Sequence, residues 1–311
     1  MVARFGPKVA RRVGFGHDDP TRRAQLLPTP GAGFGFPGSG VVRSGAHGAA
    51  GGTMNTRLPL KQALAEGRAT LGSWITLGHP AIAEIMCRAG FDWLTIDLEH
   101  SVITHEQAEQ LIRVISLSGV TPLVRLTGQD PLQIKRMMDA GSMGVIAPQV
   151  NTAEQAKAVV EAVYYPPRGT RGVGLARAQG YGSAFADYLE KLERDAVVIV
   201  QIEHIQAVEN IDSILSVPGV DGFILGPYDL SASLGLPGQF DHPKVRAALE
   251  TLRQAMGRHA KAPGVHVVEP DLEAAKARLA EGYRFVAYSL DIRFLDTACR
   301  QGVQTLTPCL G

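Results

Sequence analysis

Short apolar runs alternate with amphipathic stretches along the chain from about Leu71 to its end. Eight runs read as strands: Leu71–Leu77, Trp93–Asp97, Thr121–Leu126, Gly144–Pro148, Val197–Ile202, Gly222–Leu225, Pro263–Val268 and Phe285–Ser289. Between them the apolar positions fall at helical spacing. That rhythm predicts parallel strands joined by crossover helices. The joints agree. Ala89-Gly90-Phe91-Asp92, Ala140-Gly141-Ser142-Met143, Pro218-Gly219-Val220-Asp221 and Glu281-Gly282-Tyr283-Arg284 each set a glycine just before a strand. Glycine there suits the left-handed residue that closes a helix. The expected fold is a (β/α)8 TIM barrel. A doubly wound open sheet is the lesser option, since no GxGxxG follows a first strand.

The first 53 residues break this rhythm. They include Gly31-Ala-Gly-Phe-Gly-Phe-Pro-Gly-Ser-Gly40 and show no hydrophobic period. Such composition reads as disorder. An organelle transit peptide would share the arginines, but no amphipathic helix is evident. Met54-Asn-Thr-Arg-Leu-Pro-Leu reads as a natural start, so residues 1–53 are expected to be a disordered or non-native extension. Residues 54–311 then form the barrel, a fit to the roughly 250 residues such a domain takes.

Composition narrows the function classes. The extension holds seven Lys/Arg and two Asp/Glu; taken from totals of 31 and 30, this leaves 24 against 28, a net of −4 for the body. A mildly acidic body offers no electrostatic footprint for nucleic acid. No apolar run nears the ~20 residues that cross a bilayer. The three cysteines, Cys87, Cys299 and Cys309, are odd in number and irregular in spacing. A reducing, cytoplasmic setting is expected rather than a disulfide framework.

In a barrel of this kind catalytic groups sit at the carboxyl ends of the strands. The second strand runs into Asp97-Leu98-Glu99-His100, the third into Arg125, the fifth into Gln201-Ile202-Glu203 and the sixth into Gly226-Pro227-Tyr228-Asp229. Neighbouring strands lie about 4.8 Å apart. Glu203 and Asp229 would therefore repel unless a proton or cation stood between them, and oxygen ligands suit Mg²⁺ or Mn²⁺. The other reading keeps them as exposed acids or helix caps, Asp229 opening a helical stretch over Asp229–Gly235. His100 fits a base whose tautomer Asp97 fixes, or else an exposed loop histidine. Arg125, at the end of a buried strand, needs an anionic partner.

The motifs around these residues carry a resemblance. Gly90-Phe-Asp-Trp-Leu-Thr-Ile-Asp-Leu-Glu-His100, Val124-Arg125, Gln133-Ile-Lys-Arg-Met-Met-Asp-Ala-Gly141, Tyr165-Pro-Pro-Arg-Gly-Thr-Arg-Gly-Val-Gly174, Val200-Gln-Ile-Glu203 and Leu225-Gly-Pro-Tyr-Asp-Leu-Ser231 occur in order. Together they resemble the HpcH/HpaI aldolases, metal-dependent class II pyruvate aldolases built on the phosphoenolpyruvate/pyruvate-binding barrel. The resemblance implies reversible cleavage of a 4-hydroxy-2-oxo acid to pyruvate and a small aldehyde, with Mg²⁺, Mn²⁺ or Co²⁺. It implies Glu203 and Asp229 as metal ligands, His100 as base with Asp97 beside it, and Arg125 on the pyruvyl oxygen. Gln201 becomes a substrate or supporting contact. Gly226, Pro227, Tyr228 and Asp229 become a cradle for the substrate carboxylate, and Asp139 an acid that reaches a neighbouring subunit's site. A homo-oligomer is also implied, commonly a hexamer, with the amphipathic Leu290–Arg300 packed on a partner.

Departures from the family pattern affect the aldehyde side. The loop Leu98-Glu99-His100-Ser101-Val102 replaces the usual Gly and Glu-His-Ala-Pro, and His266 stands in strand seven where an apolar residue is usual. His266 faces either the lumen, where it would meet the incoming aldehyde, or the helices, as a hydrogen-bonded core residue. Trp74 and Trp93 read as barrel packing, Gly169–Gly174 as a rim loop with Arg171 or Arg177 towards substrate, and Cys87 as a buried thiol. Three rivals remain. A Schiff-base aldolase needs a lumenal lysine, and Lys135 and Lys261 fall in or beside helices. A coenzyme A thioester lyase like the citrate lyase β subunit needs a basic cluster for the nucleotide. A non-catalytic barrel subunit would have no use for these polar strand ends.

Overall fold

The structure, a computed structural model, describes residues 58–310; the expected extension over residues 1–53 lies outside them. Eight strands form a closed barrel: β1 Thr70–Ile75, β2 Trp93–Asp97, β3 Thr121–Arg125, β4 Gly144–Ala147, β5 Val197–Ile202, β6 Gly222–Leu225, β7 Ala262–Val267 and β8 Phe285–Leu290. Each pairs in parallel with the next, and β8 closes on β1 with a register shift between Gly72 and Trp74. β2, β4 and β5 are buried along their whole length. That is why they read as unbroken apolar runs rather than alternating ones.

The helices start and stop where local chemistry dictates. Thr104 and Thr152 form capping boxes with Gln107 and Gln155, reciprocally satisfying backbone donors at the helix start. The four joint glycines, Gly90, Gly141, Gly219 and Gly282, all lie at φ between 97° and 102°. Strand ends differ from the sequence reading by a residue or two. β1 stops at Ile75 because the next two N–H groups, of Thr76 and Leu77, donate to the Asp291 carboxylate instead of to a neighbouring strand. The helix expected over Asp229–Gly235 spans Pro227–Ser233, and the last helix runs longer than expected, over Asp291–Leu306.

The lumen is packed at its base and polar at its mouth. Trp93 is fully buried and stacks on Phe285 with centroids 4.0 Å apart and planes 5° apart. Gly72 makes this possible, since a Cβ there would lie inside the Trp93 ring. Burying about 200 Å² of indole at ~25 cal/mol per Å² stabilises by about 5 kcal/mol, an upper figure. Leu60 and Leu64, from the helix Leu60–Ala65, join the same lumenal cluster and plug the N-terminal end. Lys61 on that helix pairs with Asp221 at 3.1 Å. Among the described residues no helix is long and apolar enough to cross a membrane. Cys87 is buried and Cys299 and Cys309 are exposed, all three free; burial pushes the Cys87 thiol up.

Candidate active site

The carboxyl ends of β2, β3, β5 and β6 gather the polar residues at the mouth. Asp97 ends β2 and Arg125 ends β3, directly paired in register. Their side chains form a two-pronged pair: Nε of Arg125 donates to Oδ1 of Asp97 at 2.9 Å, and Nη2 to Oδ2 at 2.6 Å. Both are largely buried, with side-chain exposures of 14% and 3%. The guanidinium also lies 4.4 Å from the centroid of the Trp74 ring. Its third nitrogen, Nη1, stands 3.2 Å from Oε2 of Glu99. That contact has the distance of an ion pair but not the angles of a hydrogen bond.

Asp97 thus serves Arg125, whereas the sequence reading gave it to the His100 imidazole. Its Oδ1 also accepts the backbone N–H groups of Glu99 (3.0 Å) and His100 (3.3 Å), which folds the loop back over the strand end. The physical reason is register: β2 and β3 set Asp97 beside Arg125, and the tight turn leaves only the main chain of His100 within its reach. The imidazole instead has Nε2 at 3.9 Å from Oε2 of Glu99 and is 68% exposed. Glu99, which the sequence sets at the end of the second strand without assigning it a role, is therefore a mouth residue. Burial pushes its carboxyl up; Arg125 and His100 oppose that shift, while Asp97 and Asp229 add to it.

Glu203 lies just beyond β5 and is 5% exposed. Its Oε1 accepts the N–H of Gln149 at 2.7 Å, and its Oε2 accepts from the Gln201 side chain. Gln149, after β4, adopts φ 53°, a left-handed conformation that costs a non-glycine residue about 1 kcal/mol or more. The Gln129 amide anchors it by donating to the Gln149 carbonyl at 2.8 Å. Burial pushes the Glu203 carboxyl up. The Gln201 and Gln149 hydrogen bonds pull it down, and the charges of Glu99 and Asp229 raise it further.

The β6 end supplies the other lip. Gly226 donates its N–H to the Ile202 carbonyl at 3.0 Å, and Pro227 has none to give. Of the four residues expected to cradle a carboxylate, Tyr228 and Asp229, at the first turn of Pro227–Ser233, are the ones whose main-chain donors have no partner among the described residues. Gly226 is forced by crowding: a Cβ would stand 2.8 Å from that of Glu203. Among the described residues no ion pair involves Glu203 or Asp229, and no group of three or more His, Cys, Asp or Glu converges as a ready-made metal site. Two carboxylates completed by water and substrate oxygens are enough for a hard divalent ion.

His266 faces the lumen. It stacks on Trp74 at 5.3 Å and 26°, with Nε2 at 3.1 Å from the Ser289 carbonyl. Burial, with some help from Arg125, lowers its pKa to about 4; the Ser289 carbonyl and Asp97 oppose this. Asp139 and Arg171 lie elsewhere. Asp139 is next to last in the helix Pro131–Ala140, which leaves the mouth at β3 and ends beside the start of β4. It therefore sits at the far end of its own barrel. Arg171 is there too, buried over the Tyr165 ring at 4.0 Å and bonded to Tyr188 at 2.8 Å, with Asp139 4.0 Å away. Arg177 donates to the Ala140 carbonyl. The Gly169–Gly174 segment is thus no rim loop of this mouth, because the helix Ala153–Val163 has already carried the chain back to the base.

This barrel, with acids at three strand ends and an arginine at a fourth, has known counterparts. The sequence model of the HpcH/HpaI aldolase/citrate lyase family matches residues 70–298. The chain belongs to that family. It is 39% identical over 246 residues to the hydroxypyruvate/pyruvate aldolase of Cupriavidus necator, covering 78% of this chain and 90% of that one. It is 40% identical over 240 residues to the 4-hydroxy-2-oxo-heptane-1,7-dioate aldolase of Escherichia coli, covering 76% and 90%. A family member of known structure from Burkholderia cenocepacia superposes with a TM-score of 0.75 at 34% identity, covering 80% of this chain and 98% of that one. The present chain is thus an aldolase, a carbon–carbon lyase.

Proposed function

We propose that this aldolase cleaves a 4-hydroxy-2-oxo acid reversibly to pyruvate and a small aldehyde, with a divalent cation on Glu203 and Asp229. One observation carries the reading. Asp97, Glu99, Glu203 and Asp229 share one mouth with, among the described residues, a single guanidinium, that of Arg125, which is already engaged by Asp97 and Glu99. The leftover negative charge on Glu203 and Asp229 calls for a cation, and their oxygens suit Mg²⁺, Mn²⁺ or Co²⁺. Such an ion, when bound, polarises the carboxylate and oxo oxygens of pyruvate and acidifies its methyl group.

The remaining work falls to the chain's own side chains. Arg125, held flat by Asp97 and Trp74, presents its charge where negative charge gathers on the oxo oxygen. Gln201 and Gln149 fix the rotamer of Glu203. The N–H groups of Tyr228 and Asp229, at a helix start, suit a substrate carboxylate. His100, the exposed base beside Glu99, takes the proton from carbon or returns it. The aldolase relatives favour this reading over a coenzyme A thioester lyase and over a non-catalytic barrel.

The test is exchange of pyruvate methyl protons for deuterium, followed by NMR. Exchange should vanish with EDTA, return with Mn²⁺ or Mg²⁺, and drop at least a hundredfold in Glu203→Gln and Arg125→Ala. Exchange that survives EDTA undiminished would reject the reading. We also propose a cytoplasmic homo-oligomer, a hexamer by resemblance. The helix Asp291–Leu306 exposes Ile292, Leu295, Val303 and Leu306, an apolar stripe suited to a second copy, and native mass measurement reads the state. Asp139, far from its own mouth, is proposed to serve a neighbour's. Mixing inactive Asp139→Asn and His100→Ala subunits should then restore activity.

A further inference from the structure

His266 sits one residue before the end of β7, paired in register with Ala287 of β8. It shares the Trp74 indole with Arg125, so it stands at the mouth one ring away from the guanidinium. Its tautomer is fixed. The Ser289 carbonyl, 3.1 Å from Nε2, can only accept, so Nε2 carries the hydrogen. That carbonyl is itself pinned: Ser289 holds φ 52°, its hydroxyl donates to the Val268 carbonyl at 2.9 Å, and its carbonyl also accepts from Ser73 at 3.0 Å. Among the described residues Nδ1 has no hydrogen-bond partner, and it is absent from the fully enclosed unpaired atoms. It is an unpaired, lone-pair-bearing nitrogen that is not fully enclosed.

We propose that His266 selects the aldehyde, its Nδ1 accepting a hydrogen bond from the hydroxyl of a 2-hydroxyaldehyde. This rests on the aldolase reading and adds the substrate class. A neutral acceptor favours a donor, and it repels a carbonyl oxygen or a carboxylate brought to the same point. Burial and the Arg125 charge keep the ring from protonating, and of the charged groups that act on it Asp97 alone opposes them. The acceptor therefore persists at neutral pH. The ring's stacking on Trp74 and its bond to Ser289 leave it little freedom to turn away.

The experiment compares glycolaldehyde with propanal, equal in number of non-hydrogen atoms, a hydroxyl in the first standing where the second has a methyl, in aldol addition to pyruvate. Wild type should favour glycolaldehyde by roughly two- to thirteenfold in kcat/KM, the range of one neutral hydrogen bond. His266→Leu should bring the ratio to about one. His266→Asn, whose amide oxygen falls near Nδ1, should keep most of it. A wild-type ratio of one, or an unchanged ratio in His266→Leu, overturns the proposal. So does an effect that follows the nucleophile instead, seen as altered preference for hydroxypyruvate over pyruvate at a constant aldehyde ratio. Wild-type proton exchange into pyruvate is measured alongside: if it fails, the aldolase reading fails; if it holds while the ratio does not respond, only the role of His266 is lost.

Discussion

Replacing Asp97 by asparagine separates a clamp on Arg125 from a partner of His100. In the native mouth Asp97 accepts two hydrogen bonds from the guanidinium and two from the backbone of Glu99 and His100. Asparagine keeps one acceptor oxygen and turns an NH2 towards the arginine's own donors. Breaking a buried ion pair by removing one charge costs about 3–5 kcal/mol. Here Glu99 at 3.2 Å and the Trp74 face still hold Arg125, so the lower end applies, about 3 kcal/mol. The assay is urea unfolding of Asp97→Asn, Arg125→Met and the double variant, beside pyruvate proton exchange for the matching pair with His100→Ala. The Asp97–Arg125 cycle should show a coupling of about 2–3 kcal/mol, since residues in one buried pair are far from additive. The Asp97–His100 cycle in kcat should be additive to within about 0.5 kcal/mol. Unchanged stability in Asp97→Asn together with strong coupling to His100 would refute the clamp.

Other tests address separate parts of the molecule. The His266 pKa of about 4 lies below the ~6.5 of an unfolded histidine. The unfolded chain therefore binds the extra proton first, and stability should fall as pH drops from about 6.5 to about 4, by up to roughly 3 kcal/mol. Urea titrations across that window should show the loss in wild type and not in His266→Leu. Glu203→Gln should melt higher than wild type in EDTA at pH 8, because it removes a buried charge that Glu99 and Asp229 repel; added Mn²⁺ should then stabilise wild type and leave the variant unmoved. Gly72→Ala should destabilise by about 3 kcal/mol or more, by forcing the Trp93–Phe285 stack apart. An unfolding midpoint close to wild type would refute that packing.

Much of the barrel was legible because its signals are local. A glycine closing a helix just before a strand and an unbroken apolar run each act over a few residues. The mouth was legible in membership more than in pairing. Arg125, Glu203 and Asp229 were readable as strand-end residues, since the strand ends fix their height in the barrel. Who bonds to whom depends on register across strands. Asp97 looked like a partner for His100, three residues on, and turned out to face Arg125, 28 positions away. The pairing of Glu99 with Arg125 and His100 was hidden for the same reason. The left-handed Gln149 and Ser289 left no mark in composition, because surrounding hydrogen bonds impose their conformation rather than residue preference. The placement of Asp139 and Arg171 at the base was readable in principle, from helix length alone: ten residues at 1.5 Å each carry the chain well away from the mouth.

Gly226 has a bearing on how such an enzyme changes its diet. With Glu203 pressed so close that no side chain fits at this position, the lip between β5 and β6 is closed to variation, and mutations there strike the chemistry before they alter taste. On the lip formed by β7, β8 and β1, no glycine is crowded against a carboxylate in this way among the described residues. Random libraries confined to that arc should yield new acceptors, and ones spread evenly around the rim should return mostly dead protein.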